Sequence, residues 1–148
     1  LGNSLGGAVA IYAFVDEPRM AALFLNSSIA NLPQVIREEL TRTGYPAWLA
    51  PGGLIAARLV TGTNIVGRNP LTEIQRIGKR PLFLTHSADD KRVAIHHSYQ
   101  LEAAAKEAGD NVTVWYVTGA DHLRAPALYP EEFEAKLVGF FRGALAQH

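Results

Sequence analysis

The sequence predicts an α/β fold, a mostly parallel sheet with helices on both faces, from three observations. Short apolar runs recur at residues 20–26, 81–86 and 112–118. Strands this apolar are covered on both sides, as in parallel sheets. Stretches of helical periodicity stand between and after them, the alternation that stacks helices above and below one sheet. The chain also opens on Leu1-Gly2-Asn3-Ser4-Leu5-Gly6-Gly7, a G-x-S-x-G stretch that runs straight into apolar Ala8 to Val15. That pattern reads as a serine on a tight strand-to-helix turn.

Taken in order, residues 4–16 read as a helix that stops at Asp16-Glu17-Pro18, because proline cannot continue a helix. The apolar run 20–26 ends at Ser27-Ser28 and reads as a strand. Residues 31–79 form an insert. Gln34 to Thr41 has the look of one helix, Trp48 to Val60, broken by Pro51-Gly52-Gly53, of another, and Asn69 to Ile74 of a short third. An insert of this length between two strands is either a cap over a site or an elaborated crossover. Strand 81–86 follows, then helix formers from Ile95 to Glu107 that end at Gly109-Asp110-Asn111, then strand 112–118. Pro130-Glu131-Glu132 opens a last helix with Phe133, Leu137, Phe140 and Phe141 at helical spacing, and proline costs nothing in a first turn. Only Leu1 precedes the serine motif to supply a strand running into it.

At 148 residues and 48% hydrophobic content the chain makes one domain with a core. Fourteen basic and fourteen acidic side chains cancel, so there is no positive field to hold a nucleic-acid backbone. Cysteine is absent, which excludes disulfides, thiolate nucleophiles and cysteine metal sites. The longest apolar stretches, 6–15 and 20–25, are too short to cross a bilayer.

A serine hydroxyl becomes a nucleophile when a base lies within hydrogen-bond reach and a carboxylate orients that base. Ser4 is the candidate nucleophile. The backbone N–H of Leu5, at the start of the helix, is the candidate oxyanion donor. His122, in Thr118-Gly119-Ala120-Asp121-His122 beyond the last strand, is the candidate base. Of the other histidines, His86 falls where its strand emerges and shapes a turn. His96 and His97 fall in the first turn of a helix, and His148 at the terminus. Adjacent helical residues point about 100° apart, so joint metal chelation by His96 and His97 is not expected. No H-E-x-x-H spacing occurs, and no metal or cofactor is expected. The acid is Asp89 or Asp90, both in the loop after strand 81–86, and position alone does not separate them. Asp121 adjoins the base in sequence and is badly placed to reach its Nδ1. The insert's Tyr45, Trp48, Leu49, Leu54, Ile55 and Leu59 are candidates for an apolar acyl or alcohol pocket, or for packing the insert onto the sheet.

These residues carry a resemblance. Gly2 to Gly7, Met20 to Ser28, Pro81 to Asp90, Gly119 to His122 and Tyr129 to Phe133 together resemble the C-terminal part of a bacterial serine α/β-hydrolase. The group most resembled is the Bem46/ABHD13-like one, which overlaps serine aminopeptidase-like and esterase proteins. The family pattern around the acid is H-G-x-x-D-x-x-V-P with a serine four places after the proline. His86, Val93 and Ser98 fall in register with it only if the acid is Asp90, so the resemblance selects Asp90. Ser87 replaces the usual glycine and Ala94 the usual proline.

The resemblance implies strands six to eight of an eight-stranded sheet, with the earlier strands and the second oxyanion donor lying before Leu1. It implies a serine-dependent hydrolase of carboxylic esters, with peptides or thioesters as alternatives, and a small-molecule ester or peptide as substrate. A contrasting expectation is a non-catalytic fragment, or one half of a split hydrolase, that needs a complementary N-terminal half or self-associates through its exposed sheet edge. A cytoplasmic location is expected, and family resemblance also allows a membrane anchor upstream of Leu1.

Overall fold

A computed structural model describes residues 1–62, 64 and 66–146. Four parallel strands form one sheet in sequential order: β1 (Gly2–Asn3), β2 (Leu23–Asn26), β3 (Leu82–Ser87) and β4 (Val112–Val117). The helices are α1 (Leu5–Asp16), α2 (Leu32–Arg42), α3 (Ala50–Thr61), α4 (Pro70–Ile74), α5 (His96–Glu107), α6 (Ala125–Leu128) and α7 (Pro130–Leu145). Residues 20–22 are not in the strand expected there; pairing starts at Leu23, opposite Leu82. None of the helices described is long and apolar enough to cross a membrane.

Side chains of β2 and β3 alternate between two cores, as strand geometry requires. Leu23, Leu25, Leu82 and Leu84 pack on one side with Ile11 and Phe14 of α1, Ile74 of α4, and Leu101 and Ala105 of α5. Phe24 and Phe83 face the other side, stacked with ring centroids 4.7 Å apart, against Phe133 and Phe140 of α7. Both strands are buried along their whole length, which is why no polar alternation marks them in the sequence.

The serine motif is fed by a strand after all, one of two residues. Gly2 pairs with Leu25 and Asn3 with Asn26, and the Ser4 amide donates to Asn26 O at 3.0 Å. In the insert, the Pro51-Gly52-Gly53 segment does not break the helix expected there. A 3-10 turn (Ala47–Leu49) precedes α3, and the helix runs through both glycines. Pro51 falls in its first turn, where the missing N–H has no helical partner to lose. The insert returns to the sheet through Arg68, whose guanidinium bridges Asp16 of α1 and Glu73 of α4 at 2.6 and 2.8 Å.

Candidate active site

The C-terminal ends of the strands carry the site, as is general for open parallel sheets. Ser4 caps α1 with φ 51° and ψ −126°, a conformation costly for a residue with a Cβ. The cost is sustained by tight packing around it. A Cβ on Gly2 would stand 2.7 Å from Ala10 Cβ, and one on Gly7 would overlap the Ser28 side chain. Gly6, the second glycine of the G-x-S-x-G pattern, has open space where a Cβ would go. The tight glycines are therefore Gly2 and Gly7. Leu5 is the first residue of α1, and helix geometry leaves its N–H without an intrahelical partner.

Three sequence candidates meet here. His122 Nε2 lies 3.0 Å from Ser4 Oγ, and His122 Nδ1 lies 2.7 Å from Asp90 Oδ2. Asp90 Oδ1 accepts from the amides of Arg92 and Val93, both at 2.9 Å. Burial pushes the Asp90 carboxyl up, but hydrogen bonds from His86, the Val93 amide, His122 and the Arg92 amide outweigh it. They hold the group well below the usual carboxylate range. A carboxylate facing Nδ1 puts the ring proton on that nitrogen and leaves Nε2 free to accept from the serine.

Asp89 and Asp121 make different contacts. The Gly119 amide donates to Asp89 Oδ2 at 2.5 Å, and the amides of Lys91 and His122 donate to Asp121 Oδ1 at 3.1 and 2.7 Å. Each carboxylate thus reaches from one loop to the backbone of the other, and together they strap the acid loop to the histidine loop. Tyr129 adds a hydroxyl on Thr118 O at 2.9 Å. Sequence reasoning missed this strap. An acid just before a histidine and another two residues past a strand are its only traces.

A second serine–histidine–aspartate group shares Asp90. Ser98 Oγ is 2.6 Å from His86 Nδ1, and His86 Nε2 is 3.2 Å from Asp90 Oδ2. Ser98 and His86 are 1% and 0% exposed, so a substrate carbonyl has no way to reach them. The group at Ser4 borders open clefts. One, of about 180 Å³, runs from Ser4 along Leu5, Ile29, Leu32, Val35 and Val93, with Glu39 and Arg92. The other, polar and about 480 Å³, lies beside His122 between Arg42, Lys91, Arg92, Glu39 and Asp121.

The proposed pocket residues Tyr45, Trp48, Leu49, Leu54, Ile55 and Leu59 do not line either cleft. They sit on the 3-10 turn and α3 and just before them, with Trp48 76% and Leu59 80% exposed. The apolar wall comes instead from α2 and the segment before it. Its signal was available, since Leu32 and Val35 lie three apart beside the β2 exit.

His96 and His97 correct another expectation. Both rings reach Glu38 of α2: His96 Nε2 is 3.0 Å from Oε1, and His97 Nε2 is 3.0 Å from Oε2. The two rings tilt together, centroids 4.5 Å apart, and the two oxygens of one carboxylate span the gap that helical twist opens. The three side chains thus gather donor atoms in one place. The Ala30 amide, however, donates to His97 Nδ1 at 3.3 Å, which puts the ring proton on Nε2, facing Glu38. A nitrogen that carries its proton toward the cluster offers no lone pair to a cation there. The contact is a latch between α2 and α5. His148 lies outside the described residues.

Fold and site together define the class, the serine α/β-hydrolases. The chain belongs to the prolyl oligopeptidase family, whose model matches residues 1–148. It is similar to the esterase Pf2001 of Pyrococcus furiosus, at 25% identity and a TM-score of 0.72, over 97% of this chain and 52% of that one. An α/β hydrolase from the metagenome of lagoon sediments at Mar Chica, Morocco, shares the fold at 20% identity and a TM-score of 0.64, over 96% of this chain and 59% of that one. So does the acylaminoacyl peptidase of Pyrococcus horikoshii, at 20% and 0.61, over 88% and 20%. The chain spans about half the length of the esterase it matches. No curated protein matches it.

Proposed function

We propose that this chain carries the reacting residues of a serine acyl hydrolase acting on carboxylic esters, with Ser4 as nucleophile, His122 as general base and Asp90 as the carboxylate that orients it. The observation that carries the proposal is the contact chain of 3.0 Å from Ser4 to His122 and 2.7 Å from His122 to Asp90. Ser4 Oγ attacks the carbonyl carbon as its proton passes to His122 Nε2. The resulting oxyanion is met by the Leu5 N–H at the start of α1. His122 then protonates the leaving alcohol, and water, deprotonated by the same ring, releases the acid from Ser4.

Esters are favoured over peptides by the wall of Leu5, Ile29, Leu32, Val35 and Val93 beside Ser4, which suits a short apolar acyl group. The esterase likeness supports the same choice, while the acylaminoacyl peptidase likeness keeps peptide hydrolysis as the second reading. We also place the chain with the Bem46/ABHD13-like serine hydrolases on the register of His86, Asp90, Val93 and Ser98. The insert 31–79 acts as a partial cap, since α2 forms one wall of the cleft at Ser4. Pairing with further sheet-forming polypeptide through the β1 edge completes the fold, and upstream sequence would supply the second oxyanion donor.

The intact protein, treated with a fluorophosphonate probe, is expected to carry the adduct on Ser4, and Ser4→Ala to lose nearly all turnover. An adduct on a different serine of active protein sinks the assignment. Faster turnover of aminoacyl anilides than of p-nitrophenyl esters reverses the substrate choice.

A further inference from the structure

His86 stands outside the contact chain from Ser4 to Asp90, yet both of its ring nitrogens are engaged. Nε2 is 2.8 Å from Val93 O and 3.2 Å from Asp90 Oδ2. A carbonyl only accepts, so Nε2 carries the ring proton. Nδ1 is then the acceptor, and it takes the Ser98 hydroxyl proton at 2.6 Å. Donors therefore run in one direction, from Ser98 on α5 to His86 at the end of β3 to Asp90. They end on Oδ2, the oxygen that also faces His122 Nδ1.

We infer that His86 is a positioning residue for the reaction assigned to Ser4: its Nε2–H, aimed by Ser98, fixes Asp90 and the Val93 carbonyl so that Asp90 holds His122 toward the serine. The inference rests on the proposed role of Ser4. Its first support is geometric. The amides of Arg92 and Val93 hold only Oδ1 of Asp90, and a carboxylate fixed by one oxygen still pivots about it. His86, fully buried at the end of β3, holds the other oxygen. The same ring bonds the carbonyl of Val93, whose amide bonds Asp90. One side chain thus fixes the acid both directly and through its loop.

The second support is electrostatic. Two donors share the charge on Oδ2, so each receives less of it than one alone would. The His86 N–H thus weakens the pull of Asp90 on the proton of His122. The titratable groups facing His86 are Asp90 beside it and His97 of α5, with His122 beyond Asp90 and Glu38 of α2 beyond His97. Burial lowers His97 below its ordinary value, which favours its uncharged form.

The test measures the rate of fluorophosphonate labelling of Ser4 in the intact protein against pH, per folded molecule by circular dichroism, for wild type, His86→Leu, His86→Gln and Ser98→Ala. His86→Leu is expected to lower the plateau rate by about tenfold to a hundredfold, the loss typical of one hydrogen bond to a charged group. Its acid-side midpoint should move to higher pH, because Asp90 with one donor fewer holds the His122 imidazolium harder. Half-saturation by the probe should change little. His86→Gln, which keeps an N–H near the Nε2 position, should recover most of the rate and the midpoint, and Ser98→Ala should show a smaller shift in the same direction. Folded His86→Leu with the wild-type rate and midpoint overturns the inference. So does a Gln variant as slow as the Leu variant with no movement of the midpoint. Where His86→Leu does not fold, unchanged kinetics in Ser98→Ala overturn it instead. Wild-type protein unlabelled at Ser4 defeats the proposed function itself, a distinct result.

Discussion

Asp90 and Asp89 are neighbours in sequence with the same charge, and the structure gives them unlike work. Asp90 is 8% exposed and receives His122, His86 and two amides. Asp89 is exposed and takes the Gly119 amide across to the histidine loop. Asn at position 90 can still accept the two backbone amides, so the loop keeps its form. Its amide nitrogen or oxygen must then face His122 without a charge, and the ring loses both its fixed tautomer and the stabilisation of its cation. Asp90→Asn is expected to lower turnover by roughly 10⁴-fold, the loss typical of this change in a serine triad. Asp89→Asn keeps an acceptor for Gly119 and should cost less than tenfold, about one neutral hydrogen bond. Equal losses measured as kcat/KM on one ester would remove Asp90 from its assigned role. Position in the loop left this choice open. It was the spacing to His86, Val93 and Ser98 that pointed to Asp90, and the structure puts all three of those residues in one buried contact group with it.

Helix α2, which walls the cleft, is joined to α5 by Glu38 and the His96–His97 pair, and this junction carries a pH dependence. Burial lowers His97 below its ordinary value although Glu38 opposes the shift. An unfolded chain therefore binds a proton at that histidine before the folded one does. Stability from this group is full above about pH 6.5, the ordinary histidine value, and declines as pH falls below it. Asp90, also lowered, adds a further loss in the same direction at the lower pH where free carboxylates titrate. Glu38→Ala removes the carboxylate that both rings share. Amide exchange along α2 should rise at least severalfold at neutral pH while β2 and β3 keep their protection, and unchanged exchange in α2 would show that the latch does not hold the helix. Such junctions were invisible in the sequence because they depend on two helices separated by more than fifty residues. What was legible came from local rules: apolar runs gave β2, β3 and β4, Pro130 opened α7, and Asp16-Glu17-Pro18 closed α1. The insert was least legible. Helix propensity marks Pro51, Gly52 and Gly53 as a break, and only the offset of Pro51 into a first turn lets α3 continue.

For the molecule as a whole, the two sides of the sheet end differently. Strand β4 forms one edge with six residues in register with β3. Strand β1 covers only Leu25 and Asn26 of β2 on the other, so the backbone of Leu23 and Phe24 has no partner strand on that side among the described residues. Beside it lies a groove of about 290 Å³ lined by Leu1, Val9, Ala10, Ala13, Phe14 and Met20 among others. Leu1, Val9 and Met20 are all exposed there. An unpaired apolar edge next to exposed aliphatic side chains is a template for another strand. Residues 1–148 expressed alone are therefore expected to self-associate through this edge, in proportion to concentration, and to hydrolyse esters poorly. A lysine in the groove beside the edge should oppose pairing, since a second copy would have to bury its charge. Val9→Lys, at a position 60% exposed on α1, is expected to shift the population toward monomer in size-exclusion chromatography while the helical circular dichroism is kept. A wild-type chain that elutes as a monomer at all concentrations, unfolds cooperatively and protects its amides in residues 20–26 would show that two residues of β1 suffice to close the sheet.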